Sequence, residues 1–93
     1  MRTEDVQALI GEECDALKSL LLEKNKAYGN SAIDPIRIFS QADPEEQLKV
    51  RIDDKLSRIM RGSEYQTEDT VQDLVGYITL LRVYRKLKQR GML

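Results

Sequence analysis

The chain has 93 residues, of which 41% are hydrophobic and 33% are charged, and its formal net charge is −1. This length predicts one domain covering residues 1–93. A charge so close to zero gives no overall positive field for DNA or RNA. The polar, acidic start is unlike a signal peptide, and no apolar run reaches the ~20 residues that cross a bilayer. We therefore expect a soluble protein without a membrane partner.

The sequence contains no histidine and one cysteine, Cys14. Without histidine there is no Ser–His–Asp triad, no Cys–His pair and no imidazole ligand for zinc. A metal ion would have to be a hard cation on carboxylates, Mg²⁺ or Mn²⁺. The single cysteine excludes an internal disulfide framework and favours a reducing cytoplasm. Cys14 itself is predicted to be a small buried apolar residue.

The first predicted helix covers residues 4–26, with Thr3 as its N-cap. Its apolar stripe consists of Val6, Leu9, Ile10, Leu17, Leu20 and Leu21. Gly29 and Asn30 tolerate a left-handed backbone and are predicted to end the helix. The connection that follows, residues 28–42, has a length that is often functional.

The second predicted helix starts after Asp43, its N-cap, with Pro44 in the first helical position. Glu46 is predicted to complete a capping box, and Gly62 to end the helix. Its apolar face contains Leu48, Ile52, Leu56, Ile59 and Met60.

The third predicted helix runs from an N-cap at Thr67 to about Arg90, before Gly91. Apolar residues cover more than one stripe of its surface, and such a helix usually buries more than one face. We therefore expect its second face to meet another subunit. The predicted fold is all-α, a three-helix antiparallel bundle completed by oligomerisation.

A purely structural role does not fully explain the positions of some polar residues. Glu13 lies inside the apolar stripe of the first helix, where a buried carboxylate is costly unless it is paired or bound to metal. It either flanks the core or serves a metal. Asp69 and Asp73 form an i,i+4 pair at the start of the third helix. Acids are favourable at a helix N-terminus, but Asp73 lies a turn further in, where a hard cation would explain it.

Cations gather in two further places. Arg51, Lys55 and Arg58 share one face of the second helix with Asp54. Ion pairs between Asp54 and Arg51 or Arg58 explain this face simply, and the spacing favours that explanation. The alternative is a carboxylate for metal beside cations for phosphate. Residues 24–31 combine two lysines, Tyr28, two asparagines and a serine, which suit a nucleotide or an ordinary helix end.

Three segments in this order resemble a known family: KNKAYGNS (24–31), VRIDDKLSRI (50–59) and EDTVQDLVGY (68–77). They look like the short bacterial and phage "nucleotide modification associated" domain, a relative of the all-α MazG-like nucleotide pyrophosphohydrolases. The resemblance covers residues 13–84. It implies Mg²⁺-dependent hydrolysis of a nucleoside triphosphate between its α- and β-phosphates. It also implies a cytoplasmic homodimer or homotetramer. One setting for such a protein is a phage that encodes it and produces it in the host cytoplasm.

The resemblance also implies residue roles. The metal ligands would be Glu13, Asp54, Asp69 and Asp73, with Glu13 and Asp73 catalytic. The phosphates would face Lys24, Lys26, Arg51, Lys55 and Arg58, and the sugar or base would face Tyr28 and Asn30. Burial would raise the pKa of Glu13 and let it take a proton from a metal-bound water.

The acid set is thinner than in the classical enzymes. Those carry Glu-x-x-Glu on one helix and Glu-x-x-Asp on the next, whereas Thr70 stands three residues before Asp73 here. Three functions stay open: a nucleotide pyrophosphohydrolase, a non-catalytic protein that binds or sequesters a nucleotide, and a helical protein-interaction module.

Overall fold

The computed structural model describes residues 1–62 and 67–93. These residues form three α-helices and no strand: α1 (Thr3–Tyr28), α2 (Pro44–Arg61) and α3 (Thr70–Gln89). The prediction of an all-α chain with three helices is confirmed. None of the three helices is long and apolar enough to cross a membrane.

The ends of α1 differ slightly from the prediction. Its N-cap is Arg2, not Thr3, because the carbonyl of Arg2 already accepts hydrogen bonds from the backbone N–H groups of Asp5 and Val6 (3.1 and 3.2 Å). The helix ends at Gly29, as predicted, and the φ of Gly29 is 65°. A residue without a Cβ adopts this conformation at little cost.

Both ends of α2 lie where the sequence places them. The Asp43 carboxylate accepts a hydrogen bond from the backbone N–H of Glu45 (3.0 Å), and Pro44 takes the first turn. Gly62 ends the helix in the left-handed conformation. The predicted capping box is wrong in one respect, since the Glu46 carboxylate accepts a hydrogen bond from Lys49 (3.2 Å) among the described contacts.

The start of α3 was predicted two residues too early. Its N-cap is Asp69, whose carboxylate accepts a hydrogen bond from the backbone N–H of Gln72 (2.9 Å). Thr67 was the wrong choice because aspartate and threonine are both good N-caps and the segment offers both. The helix ends before Gly91, as predicted.

α2 and α3 pack against each other along their lengths and run antiparallel. At one end the Tyr84 hydroxyl donates to Asp43 (3.2 Å) and Arg85 Nε donates to Glu45 (2.8 Å). At the other end Arg58, near the end of α2, donates to a carboxylate just before α3 (2.8 Å). The side chain of Leu48 lies between these ends and is only 1% exposed.

α1 contacts the rest of the chain much less. It meets α3 through a short stretch in which Leu21 lies beside Gly76. No residue of α1 is buried, and Leu9 and Ile10 are more than half exposed. Cys14, predicted to be buried, is exposed, because this half of α1 has no packing partner within the described part of the chain. The closed bundle and its completion by other copies stay predictions.

The α2–α3 contact predicts the effect of truncating Leu48. Changing Leu48 to Ala should lower the free energy of unfolding by about 2–5 kcal/mol, because it removes buried methyl groups and leaves a cavity. Val50→Ala is the control on the same helix, since the Val50 side chain is 66% exposed, and it should have little effect. Denaturant titration followed by circular dichroism measures both. Equal losses in the two variants would contradict this description of the core.

The polar end of the α2–α3 contact predicts a pH dependence. The backbone N–H of Glu45 and the Tyr84 hydroxyl hold the pKa of Asp43 below its ordinary value of 3.8. The hydrogen bond from Arg85 holds the pKa of Glu45 below its ordinary value of 4.5. Both carboxylates therefore bind protons more readily in the unfolded chain than in the folded one. Their ionised forms stabilise the fold fully above these ordinary pKa values, and this stabilisation is lost as the pH falls below them.

The double variant Asp43→Asn, Glu45→Gln separates these two carboxylates from all other acids. Asn keeps the N-cap, while neither new side chain titrates. The variant should lose less stability than the original chain between neutral and acidic pH, as measured by thermal unfolding across the pH range. Parallel curves for the two proteins would show that this contact does not respond to pH.

Candidate functional site

A cavity of about 300 Å³ lies between the C-terminal end of α1, the turn that follows it, and the facing sides of α2 and α3. Its volume is at the lower end of the range for small-molecule sites. The lining residues are Leu20, Leu21, Lys24, Asn25 and Tyr28 from α1, residues 29–33 from the turn, Arg51 from α2, and Gln72, Asp73, Gly76, Tyr77 and Leu80 from α3.

The turn after α1 is held by its own asparagines. The Asn25 amide donates to the carbonyl of Gly29 (3.1 Å) and to the side-chain oxygen of Asn30 (2.9 Å). The backbone carbonyl of Asn30 accepts from the N–H groups of Ile33 and Asp34 (2.9 and 2.7 Å). These bonds fix the turn at the edge of the cavity. The Asn30 side chain can therefore offer its amide N–H groups to a bound molecule.

Two cations line the cavity, Lys24 and Arg51. The Arg51 guanidinium lies over the Tyr77 ring, 5.7 Å from its centre, which restrains both side chains. Within residues 1–62 and 67–93, neither cation has a carboxylate within ion-pair distance. An anion is the natural partner for such a pair of cations, because phosphate and carboxylate oxygens form short, strong hydrogen bonds with them.

Asp73 is the acid on the cavity wall, and it is paired with Lys55. Lys55 Nζ lies 3.5 Å from Asp73 Oδ2, and the two side chains are 12% and 23% exposed. This ion pair joins α2 to α3 beside the cavity. It also gives Asp73 a structural partner one turn inside α3, the feature that sequence spacing left unexplained.

The structure gathers five of the predicted site residues at this cavity: Lys24, Tyr28, Asn30, Arg51 and Asp73. The remaining six do not line it: Glu13, Lys26, Asp54, Lys55, Arg58 and Asp69. The ion-pair explanation of the second helix is confirmed for Asp54, which lies 3.2 Å from Arg58.

The four acids assigned to Mg²⁺ have different surroundings. Asp54 pairs with Arg58, Asp69 caps α3, and Asp73 pairs with Lys55. Glu13 is exposed in the N-terminal half of α1, so the expected burial of its carboxylate is wrong. Across the described residues, no three acidic or cysteine side chains are grouped so that they could share a metal ion.

Four polar cavity residues had no predicted role: Asn25, Ser31, Gln72 and Tyr77. Tyr77 had a usable signal, because it follows Asp73 by four residues and such pairs share a helix face. Gln72 has no comparable signal, since its place depends on how α1 approaches α3. Asn25 belongs to the predicted 24–31 cluster, but its role in holding the turn is visible only in the folded chain.

The N-cap role of Asp69 leads to a prediction that separates it from metal binding. Asp69→Ala should lower the free energy of unfolding by about 1 kcal/mol, whereas Asp69→Asn should preserve most of it, because asparagine is an equally good N-cap. Thermal unfolding in Mg²⁺ and in chelator measures both variants. A stabilisation by Mg²⁺ that disappears in Asp69→Asn would instead make this carboxylate a metal ligand.

Comparison of the chain with protein-family profiles, with curated protein sequences and with solved structures gave no match.

Proposed function

We propose that this chain binds a nucleotide in the cavity between α1, α2 and α3. The observation that carries the proposal is the pair of cations, Lys24 and Arg51, which face one cavity without a described carboxylate partner. Arginine and lysine are the side chains that proteins use for phosphate oxygens. Two of them from different helices suit a ligand with more than one phosphate.

The remaining lining suits the rest of a nucleotide. Tyr28 and Tyr77 supply aromatic rings, on which any of the nucleotide bases can stack. The Tyr28 side chain is 73% exposed and can adjust to a ligand at the cavity edge. Asn30 and Gln72 supply amides for sugar hydroxyls or base edges. Leucines from α1 and α3 complete an apolar side of the cavity.

Mg²⁺-dependent pyrophosphate release from a nucleoside triphosphate is the second candidate function. It follows from the resemblance to the MazG-like enzymes, and the observation that favours it is a carboxylate, Asp73, on the wall of the cavity. Binding takes first place because three of the four acids assigned to the metal already contact groups of their own chain. A bound Mg²⁺ would supply Lewis-acid chemistry to the phosphates.

A neighbouring pair of lysines tests the binding site. Lys24→Ala should weaken binding of nucleoside triphosphates about 10- to 100-fold, the loss expected for one hydrogen bond to a charged group. Lys26→Ala is the matched control, since Lys26 belongs to the same segment but does not line the cavity, and its affinity should be nearly unchanged. Calorimetric titration with ribo- and deoxyribonucleoside triphosphates measures both. Equal losses of affinity in the two variants would mean that the nucleotide responds only to the net charge of the protein.

Hydrolysis is tested on the same nucleotides. If the chain is an enzyme, it should release pyrophosphate with Mg²⁺ but not with chelator, and Asp73→Ala should abolish the release. Lys26→Ala, whose site lies outside the cavity, serves as the active control. Tight binding without pyrophosphate release from any substrate would leave the binding function and exclude the hydrolase. An active Asp73→Ala variant would remove Asp73 from the catalytic residues.

A further inference from the structure

A single chain exposes much more surface than a compact protein of its mass. Its accessible surface is 7632 Å². A compact monomer of 10.7 kDa would expose about 5,500 Å². Its radius of gyration is 15.4 Å, whereas about 12 Å is expected. A stable protein–protein interface needs only ~800 Å² from each partner, so the excess is large enough to form one.

The N-terminal half of α1 contributes exposed apolar residues to this surface. The helix has 26 residues, so it is about 39 Å long, and it contains no proline at which it could kink. Its contact with α3 is short and includes Leu21 beside Gly76, and no residue of α1 is buried. Val6, Leu9 and Ile10, in its N-terminal half, are 38%, 59% and 57% exposed. Helical spacing places them on the face that lines the cavity further along α1.

The N-terminal half of α1 is acidic, and the C-terminal half of α3 is basic. Residues 3–17 contain five acids and no base, whereas residues 82–90 contain five bases and no acid. Of these bases, Arg85 is paired with Glu45. The other four have no carboxylate within ion-pair distance among the described residues. Among the acids, Glu4 lies 3.8 Å from Arg2. The other acids of residues 3–17 have no ion-pair partner among the described residues, so two surfaces of opposite charge remain largely unpaired there.

The basic half of α3 also has an apolar face, on the side of the helix that meets α1. Val83 and Leu87 follow Gly76 and Leu80 at helical spacing, on the side of α3 that meets α1. The Val83 side chain is 38% exposed. This side of α3 therefore extends beyond the contact with α1, and Lys86 and Arg90 lie next to it.

We propose that residues 3–17 of α1 pack on residues 82–90 of α3 in a second copy of the chain. The same contact made in both directions gives a two-fold symmetric dimer. Within its own chain no residue of α1 is buried, so this half of the helix is left available to a second copy. Pairing of two α1 helices is disfavoured, because it would bring ten acids together. This inference does not depend on the proposed nucleotide binding.

Charge reversal provides the test. The first variant carries Glu12→Lys and Glu13→Lys, and the second carries Lys86→Glu and Arg90→Glu. The unmodified chain should dimerise in sedimentation equilibrium, and added salt should weaken the dimer because it screens exposed charges. Each variant alone should dimerise at least ~10-fold more weakly, since four like charges then face each other in each contact. An equimolar mixture should form a heterodimer, detected by native mass spectrometry, because both of its contacts join opposite charges.

Three results would overturn the proposal. The first is an unmodified chain that stays monomeric at every concentration. The second is a mixture of the two variants that forms no heterodimer, although each variant keeps its helical circular dichroism. The third is a first variant that binds the unmodified chain as tightly as it binds the second variant. Both partners keep the acidic α1, so equal affinity would mean that two α1 helices pair with each other.

Discussion

The antiparallel contact between α2 and α3 is the constraint on which the other features depend. Leu48 is buried within it, and polar contacts join the two helices at both ends. Hydrogen bonds of this kind contribute modestly to stability, but they are directional and fix the register of the two helices. Because of that register, Arg51 and Asp73 face the same cavity. α1 then needs only a short contact with α3 to close the third side, and most of its length stays exposed.

The cavity combines two kinds of residue with separate tasks. Asn25 and the Lys55–Asp73 pair bind groups of the chain itself and hold the walls in place. Lys24 and Arg51 have no described carboxylate partner and are available to an anion. A cation that must first leave an internal partner loses part of its binding energy, so this division favours ligand binding. The acidic half of α1 does not line the cavity, and we propose that it contacts a second copy.

Local signals in the sequence predicted much of the fold. Asp43, Pro44 and Gly62 mark the ends of α2 through preferences of single residues, and these predictions are confirmed. Helical spacing could also have separated Lys24 from Lys26, because Lys24 follows Leu20 by four residues and shares its face. The surroundings of Glu13 could not be predicted in this way. Its apolar neighbours in the sequence indicate burial, but burial requires a partner helix, and which helix α1 meets depends on the tertiary structure.

Nucleotide binding in the cavity can be followed residue by residue, by nuclear magnetic resonance of the ¹⁵N-labelled chain during titration with a nucleoside triphosphate. We predict saturable shifts at the backbone amides of residues 24–33, Arg51 and residues 72–77, with little change at residues 3–12. Absence of shifts at saturating nucleotide would contradict the proposed binding. Shifts confined to the basic residues 82–90 would contradict it as well, because they would indicate attraction to exposed charge and not occupation of the cavity.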